Sequence, residues 1–113
     1  MVKTKYTRTE IIKLAKVLAS ELERNKIKVA KIILYGSYAK GNPKDYSDID
    51  MAIISPSFKG KRLLMIQELL SNVLSKYLAI IEPIGYSSAD FQNAEPETFL
   101  GEIKRSGKIL YST

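Results

Sequence analysis

With 113 residues, 45% hydrophobic and 27% charged, and neither cysteine nor histidine, the chain suits one globular domain over residues 1–113; a disulfide framework, cysteine- or histidine-ligated zinc and an imidazole general base are excluded. Any catalysis has to run on carboxylates, hydroxyls, Lys or Tyr, and any metal has to accept hard oxygen ligands. A net charge of +6, from 18 basic and 12 acidic residues, favours phosphate-bearing partners, although the lysines are scattered as on a solvated surface.

Thr7-Arg8-Thr9-Glu10 has the form of a capping box, and Ile11, Leu14, Ala15, Leu18 and Leu22 then recur at helical spacing to about Arg24. Val29 to Tyr35 is a short β-branched run stopped by Gly36 and reads as a buried strand. Residues 37–47 are turn-rich, and a second strand follows from Asp48 to Ile54. A helix over 61–77 would place Leu63, Ile66, Leu70, Val73 and Tyr77 on one buried face. Ala79 to Tyr86 reads as a third strand, with Pro83 marking an edge or a bulge. Pro96 suits the first residue of a last helix, with Phe99, Leu100 and Ile103 facing inward and Gly107 as its stop; Lys108 to Tyr111 adds a final short strand. No apolar run approaches the roughly 20 residues of a membrane span. Met1 to Lys16 holds no signal-peptide core either, so a cytoplasmic protein is expected.

The chemistry concentrates in Gly36-Ser37-Tyr38-Ala39-Lys40-Gly41 and, after a turn, Asp48-Ile49-Asp50. Residues two apart on a strand share a face, so both carboxylates project together. Two like charges about 6 Å apart repel by roughly 2–3 kcal/mol at an effective dielectric of 20, a cost that solvation, a raised pKa or a cation must offset. Gly36 ends a strand where backbone can approach a ligand closely, and Ser37 offers an N–H and a hydroxyl to phosphate oxygens. Only positions 38–47 separate Ser37 from Asp48, too few for a parallel crossover, so the first two strands should be antiparallel neighbours. That pairing brings the donors and the carboxylates to one edge, where magnesium fits between acids and substrate phosphates. Helix 61–77 is long enough to make the third strand parallel to the second. Glu82, the acid within that strand, is flanked by Ile80, Ile81 and Ile84, where an unpaired Glu is costly, and is then the candidate third ligand; Asp90, or a solvent-facing Glu82, is the alternative. Lys40 and Lys44 flank the site, and Tyr38 and Tyr46 either stack on a base or cover the loop.

Taken together, GSYAKGNPKDYSDIDMAI, with the later IEPIGYSSADF and EIKRSGKILY, resembles the minimal nucleotidyltransferases of the DNA polymerase β-like superfamily. The resemblance covers nearly the whole chain. It implies an α+β fold of polymerase β palm type, a mixed sheet flanked by helices. It also implies Mg²⁺-dependent transfer of a nucleoside monophosphate, usually from ATP, to a hydroxyl. By position, Gly36 and Ser37, with Lys40 beside them, would hold the triphosphate; Asp48, Asp50 and Glu82 would bind two Mg²⁺ ions. Glu82 stands where the family commonly has Asp. The resemblance further implies a small helical HEPN-domain toxin as partner, with this chain as antitoxin. With no added domain after the last strand to grip an acceptor or enclose a base, a partner or a second copy is expected to supply part of the site.

Three other motifs fail. Gly36 and Gly41 are followed by Asn42-Pro43 rather than Lys-Ser/Thr, so there is no P-loop; the acids lack the rest of a calcium loop. No basic recognition helix stands out, which argues against sequence-reading of DNA. The rival functions are a nucleotide- or protein-binding module that performs no transfer, and an enzyme that tails RNA or DNA.

Overall fold

Thr7 and Glu10 close the capping box from both sides: Thr7 Oγ1 accepts from the Glu10 N–H at 3.1 Å, and Glu10 Oε1 accepts from the Thr7 N–H at 2.8 Å. The computed structural model describes residues 5–113. From this cap it runs α1 (Arg8–Arg24), β1 (Lys31–Tyr35), α2 (Gly36–Lys40), β2 (Ile49–Ser55), α3 (Leu63–Val73), β3 (Ile81–Ser87), α4 (Ser88–Gln92), α5 (Phe99–Ser106) and β4 (Lys108–Ser112). Single 3₁₀ turns, Pro56–Phe58 and Ser75–Tyr77, follow β2 and α3.

The four strands form one mixed sheet in the order β3-β2-β1-β4. The short 41–48 connection makes β1 and β2 antiparallel, and the crossover through α3 makes β3 parallel to β2. β3 is an edge, which accommodates Pro83; β4 pairs antiparallel with β1 along the other side.

Alternation along the strands divides the core in two. Ile32, Leu34, Ile49, Met51, Ile53 and Ile81 face α1 and α3 and pack with Leu18, Leu22, Phe58 and Leu70. α3 lies directly on β3, for a Cβ on Gly85 would meet Ile66 Cγ2 at 2.5 Å. On the opposite face Ile33, Ala52 and Ile54 form a smaller cluster with Ile103, against which Phe91 packs. The β1 end and the β2 and β3 starts lie beyond that cluster.

Several boundaries differ from the sequence reading for local reasons. β1 begins at Lys31, because the buried Val29 donates its N–H to Glu23 Oε2 at 2.9 Å instead of to a neighbouring strand. The helix expected over 61–77 stops at Val73, and Leu63 is 63% exposed because the buried seam of α3 starts at Ile66. Thr98, not Pro96, starts the last helix: its Oγ1 accepts from the Gly101 N–H at 3.0 Å. Leu100 and Ile103 turn inward as expected, but Phe99 is 59% exposed, its ring meeting Tyr35 edge-on at the margin of the smaller cluster. Part of the turn-rich 37–47 stretch belongs to α2, ended by Gly41 in a left-handed conformation (φ 81°). α4 is too short to show in periodicity and is capped by Ser87, whose Oγ accepts from the Asp90 N–H. Among the described residues, no helix is long and apolar enough to cross a membrane.

Candidate active site

β1 ends where β2 and β3 begin, so three strand termini meet at one edge of the sheet. Tyr35 is the register partner of Asp50, and Asp50 is the register partner of Glu82. Partners on adjacent strands point to the same side, roughly 5 Å apart from strand to strand. A phenol and two carboxylates therefore stand in a row on the face that α4 and α5 leave open. Asp48 lies one residue ahead of β2 and is exposed.

Gly36 sets how closely this row approaches the backbone. A Cβ there would sit 2.2 Å from Asp50 Oδ2, and its φ of 74° belongs to the left-handed region that favours glycine. The Asp50 carboxylate thus lies against the turn from β1 into α2, immediately before Ser37.

The electrostatics follow from this crowding. Asp50 is raised from 3.8 to about 6, first by burial, then by the negative charges of Glu82 and Asp48 and by a hydrogen bond with the Glu82 side chain. Each of these effects favours the protonated form of Asp50 over the carboxylate. The Tyr35 phenol is also held above its ordinary value, by burial and then by Asp50, Glu82 and Tyr86. Burial raises Tyr86 as well.

Among the described residues, no three acids are gathered into a ready metal-binding group. The donor set, a carboxylate pair on an open face with a third acid within electrostatic reach, nevertheless fits Mg²⁺. This ion takes one or two carboxylates and completes its shell with water and phosphate oxygens.

The acids singled out by sequence are not all brought together. Asp50 and Glu82 are adjacent and Asp48 is coupled to them, whereas Asp90 sits in α4 beyond the far end of β3, on the order of 15 Å along the strand from Glu82. Glu82 is exposed rather than trapped in an apolar run. The burial cost that pointed to it is therefore absent, and its register with Asp50 is what places it. Ser37 is half-buried in the first turn of α2, and Lys40 is exposed at its end. Tyr38 is a core residue, 6% exposed, whose hydroxyl accepts from the Tyr6 N–H at 3.1 Å, so it is not open to a base. Tyr46 is 69% exposed with a φ of 63°. Sequence reasoning missed Tyr35, although strand alternation alone puts it across from Asp50 once the antiparallel register is fixed.

The chain matches the sequence profile of the family described as "Polymerase beta, Nucleotidyltransferase" over residues 13–113. It is 32% identical over 85 residues to the "Putative protein adenylyltransferase MJ0604" of Methanocaldococcus jannaschii, a match covering 74% of this chain and 80% of that one. Its fold is similar to that in the "Crystal structure of a putative nucleotidyltransferase from Sulfolobus solfataricus", with a TM-score of 0.67 at 17% identity over 93% of this chain and 83% of the other. It is also similar to a chain in the "Crystal structure of the toxin-antitoxin with AMP-PNP", with a TM-score of 0.56 at 24% identity over 96% and 75%. A profile match along almost the entire chain, on a sheet that sets Asp50 against a Gly-Ser turn and beside Glu82, makes this protein a member of the polymerase β nucleotidyltransferase family.

Proposed function

We propose that the protein transfers AMP from ATP to a hydroxyl acceptor in a Mg²⁺-dependent reaction. The observation that carries this reading is the row Tyr35, Asp50, Glu82 at one sheet edge, with Asp50 against Gly36. Asp48, Asp50 and Glu82 would hold two Mg²⁺ ions, which when bound shield the triphosphate and lower the pKa of the attacking hydroxyl. The chain's own groups divide the rest of the work. Gly36, without a side chain, lets the Asp50 carboxylate lie against the turn that would hold the triphosphate, Ser37 supplies an N–H and a hydroxyl to phosphate oxygens, and Lys40 offers a positive charge at the end of the same short helix. Asp50, at about 6, gives up its proton near neutral pH and is then free to hold a cation. The open face beyond the row leaves an acceptor free to approach.

The acceptor we favour is a protein hydroxyl, since the relative of 32% identity is named as a protein adenylyltransferase. A toxin–antitoxin partnership is supported by the structural neighbour of that description, and a HEPN-domain toxin is the partner that the sequence resemblance suggests. The reaction would take place in the cytoplasm, with a partner or a second copy completing the site.

Incubation with Mg²⁺, α-labelled ATP and a candidate acceptor protein tests the assignment. Wild type should transfer label, and Asp50→Asn should lose transfer by on the order of 10³-fold, the several kcal/mol expected for a metal ligand. One observation favours a second reading, a binding module without transfer: the acids do not already form a three-ligand group. Saturable ATP binding without label on any protein or oligonucleotide would select that reading, and lengthened oligonucleotides would select a tailing enzyme.

A further inference from the structure

Beside the acidic row, a cavity of about 250 Å³ opens between α2 and α5. Its cause is side-chain size. α2 turns Gly36, Ala39 and Lys40 toward the gap, spaced as one helical face, and the first two carry at most a methyl group. α5 answers across the gap with Phe99, Glu102, Ile103 and Ser106, again one face. Two helices that meet over such small residues leave a slot in place of a packed seam. Tyr35 closes its inner end, edge-on to Phe99 with ring centroids 5.7 Å apart and planes at 87°. Phe99 stays 59% exposed on the rim.

We propose that this slot holds the base of the nucleoside triphosphate. The assignment rests on the nucleotidyltransferase reading above and goes beyond it by locating the nucleoside end. Continuity supports it first: Tyr35 and Gly36 belong to both places, the tyrosine coupled electrostatically to Asp50 and Glu82 while its ring lines the slot. A ligand with phosphates at Gly36 and Ser37 has its other end within reach. Size supports it next. The volume lies below the ~300–1,000 Å³ of sites that enclose a whole drug-sized ligand, so it suits a planar base and not a complete nucleotide. The chemistry agrees, for an exposed aromatic rim offers stacking that any base can use. Glu102, an acceptor with capacity beyond its contact to Arg105 at 3.3 Å, selects bases that carry an exocyclic amino group, as adenine does and uracil does not.

Calorimetric titrations of wild type, Phe99→Ala and Ser106→Phe with Mg-ATP, Mg-UTP and Mg-tripolyphosphate test the assignment. Both residues are exposed, and the second variant narrows the slot instead of emptying it. ATP should bind about 10-fold more weakly to each variant, in line with the loss of one stacking contact. Tripolyphosphate should bind all three proteins equally, and wild type should prefer ATP to UTP. ATP affinity that is unchanged in both variants overturns the slot. So does a parallel loss of tripolyphosphate, which would make the effect something other than base recognition, and so does intact ATP affinity with impaired transfer, which would give the slot to the acceptor. Wild type that binds tripolyphosphate with ATP's affinity overturns the slot but leaves the nucleotidyltransferase reading standing; wild type that binds neither ligand overturns both.

Discussion

On one side of β2, Ile49, Met51 and Ile53 are fully buried beneath α1 and α3; one residue out of phase, Asp50 stands half-buried in a row with Tyr35 and Glu82. The same strands thus serve two ends. The packed side removes apolar surface from water at about 25 cal/mol per Å² and supplies the folding energy. The open side does the reverse, gathering carboxylates whose mutual repulsion the fold must carry. An arrangement that gathers like charges against a local stability rule, next to a left-handed glycine turn, is where function is expected. The division also explains why α4 and α5 cover only part of that face: complete coverage would bury the acids without partners.

The largest loss of stability is expected on the packed side. Ile53→Ala deletes a fully buried side chain from the larger cluster, and urea unfolding should show a loss of about 4 kcal/mol, within the range for Ile→Ala in cores. Nucleotide affinity of the folded fraction should stay at the wild-type value. A loss below about 1 kcal/mol would mean that this face is not the rigid half.

Gly36→Ala probes the seam between the halves and should have an intermediate effect. The added methyl meets Asp50 Oδ2 and forces alanine into a left-handed backbone, for about 2 kcal/mol of destabilisation. Because the clash displaces the carboxylate itself, label transfer should fall at least 10-fold, unlike the outcome for Ile53→Ala. Unchanged transfer would separate Asp50 from the chemistry.

The packed half was largely legible in the sequence. The apolar spacings of α1, the β-branched runs of β1 and β2, and the short 38–47 connection fix two strands and their antiparallel pairing through period and chain length alone. The pair Gly36-Ser37 and the acids Asp48 and Asp50 were legible too, as chemistry at a strand end. What escaped depends on contacts that no local pattern encodes. Helical spacing turns Phe99 inward, but the Thr98 cap sets the start of α5 and leaves Phe99 on the rim. The burial cost that points to Glu82 does not exist, because an edge strand leaves it exposed; its register with Asp50 is a fact of sheet assembly. Tyr35 and the α2–α5 slot needed both.

The smallest effect separates the acidic row from the core by its pH dependence. Asp50 holds its proton up to about 6 in the folded protein, against 3.8 in its absence of structure. Between those values the folded state binds more protons than the unfolded one, so ionising Asp50 destabilises the fold as pH rises through 6. Below 3.8 both states are protonated and the penalty vanishes. Asp50→Asn, which keeps the shape and removes the charge, should therefore be more stable than wild type at pH 8, by about 1 kcal/mol once the screening of a half-exposed group is allowed for. Near pH 4 the two proteins should unfold at nearly the same urea concentration. Excess Mg²⁺ at pH 8 should narrow the gap by binding the wild-type acids, since a ligand of the folded state raises its stability. An Asp50→Asn protein that is less stable than wild type at pH 8 would show that Asp50 is held ionised by a favourable partner, and that the open face is not the repulsive half of the sheet.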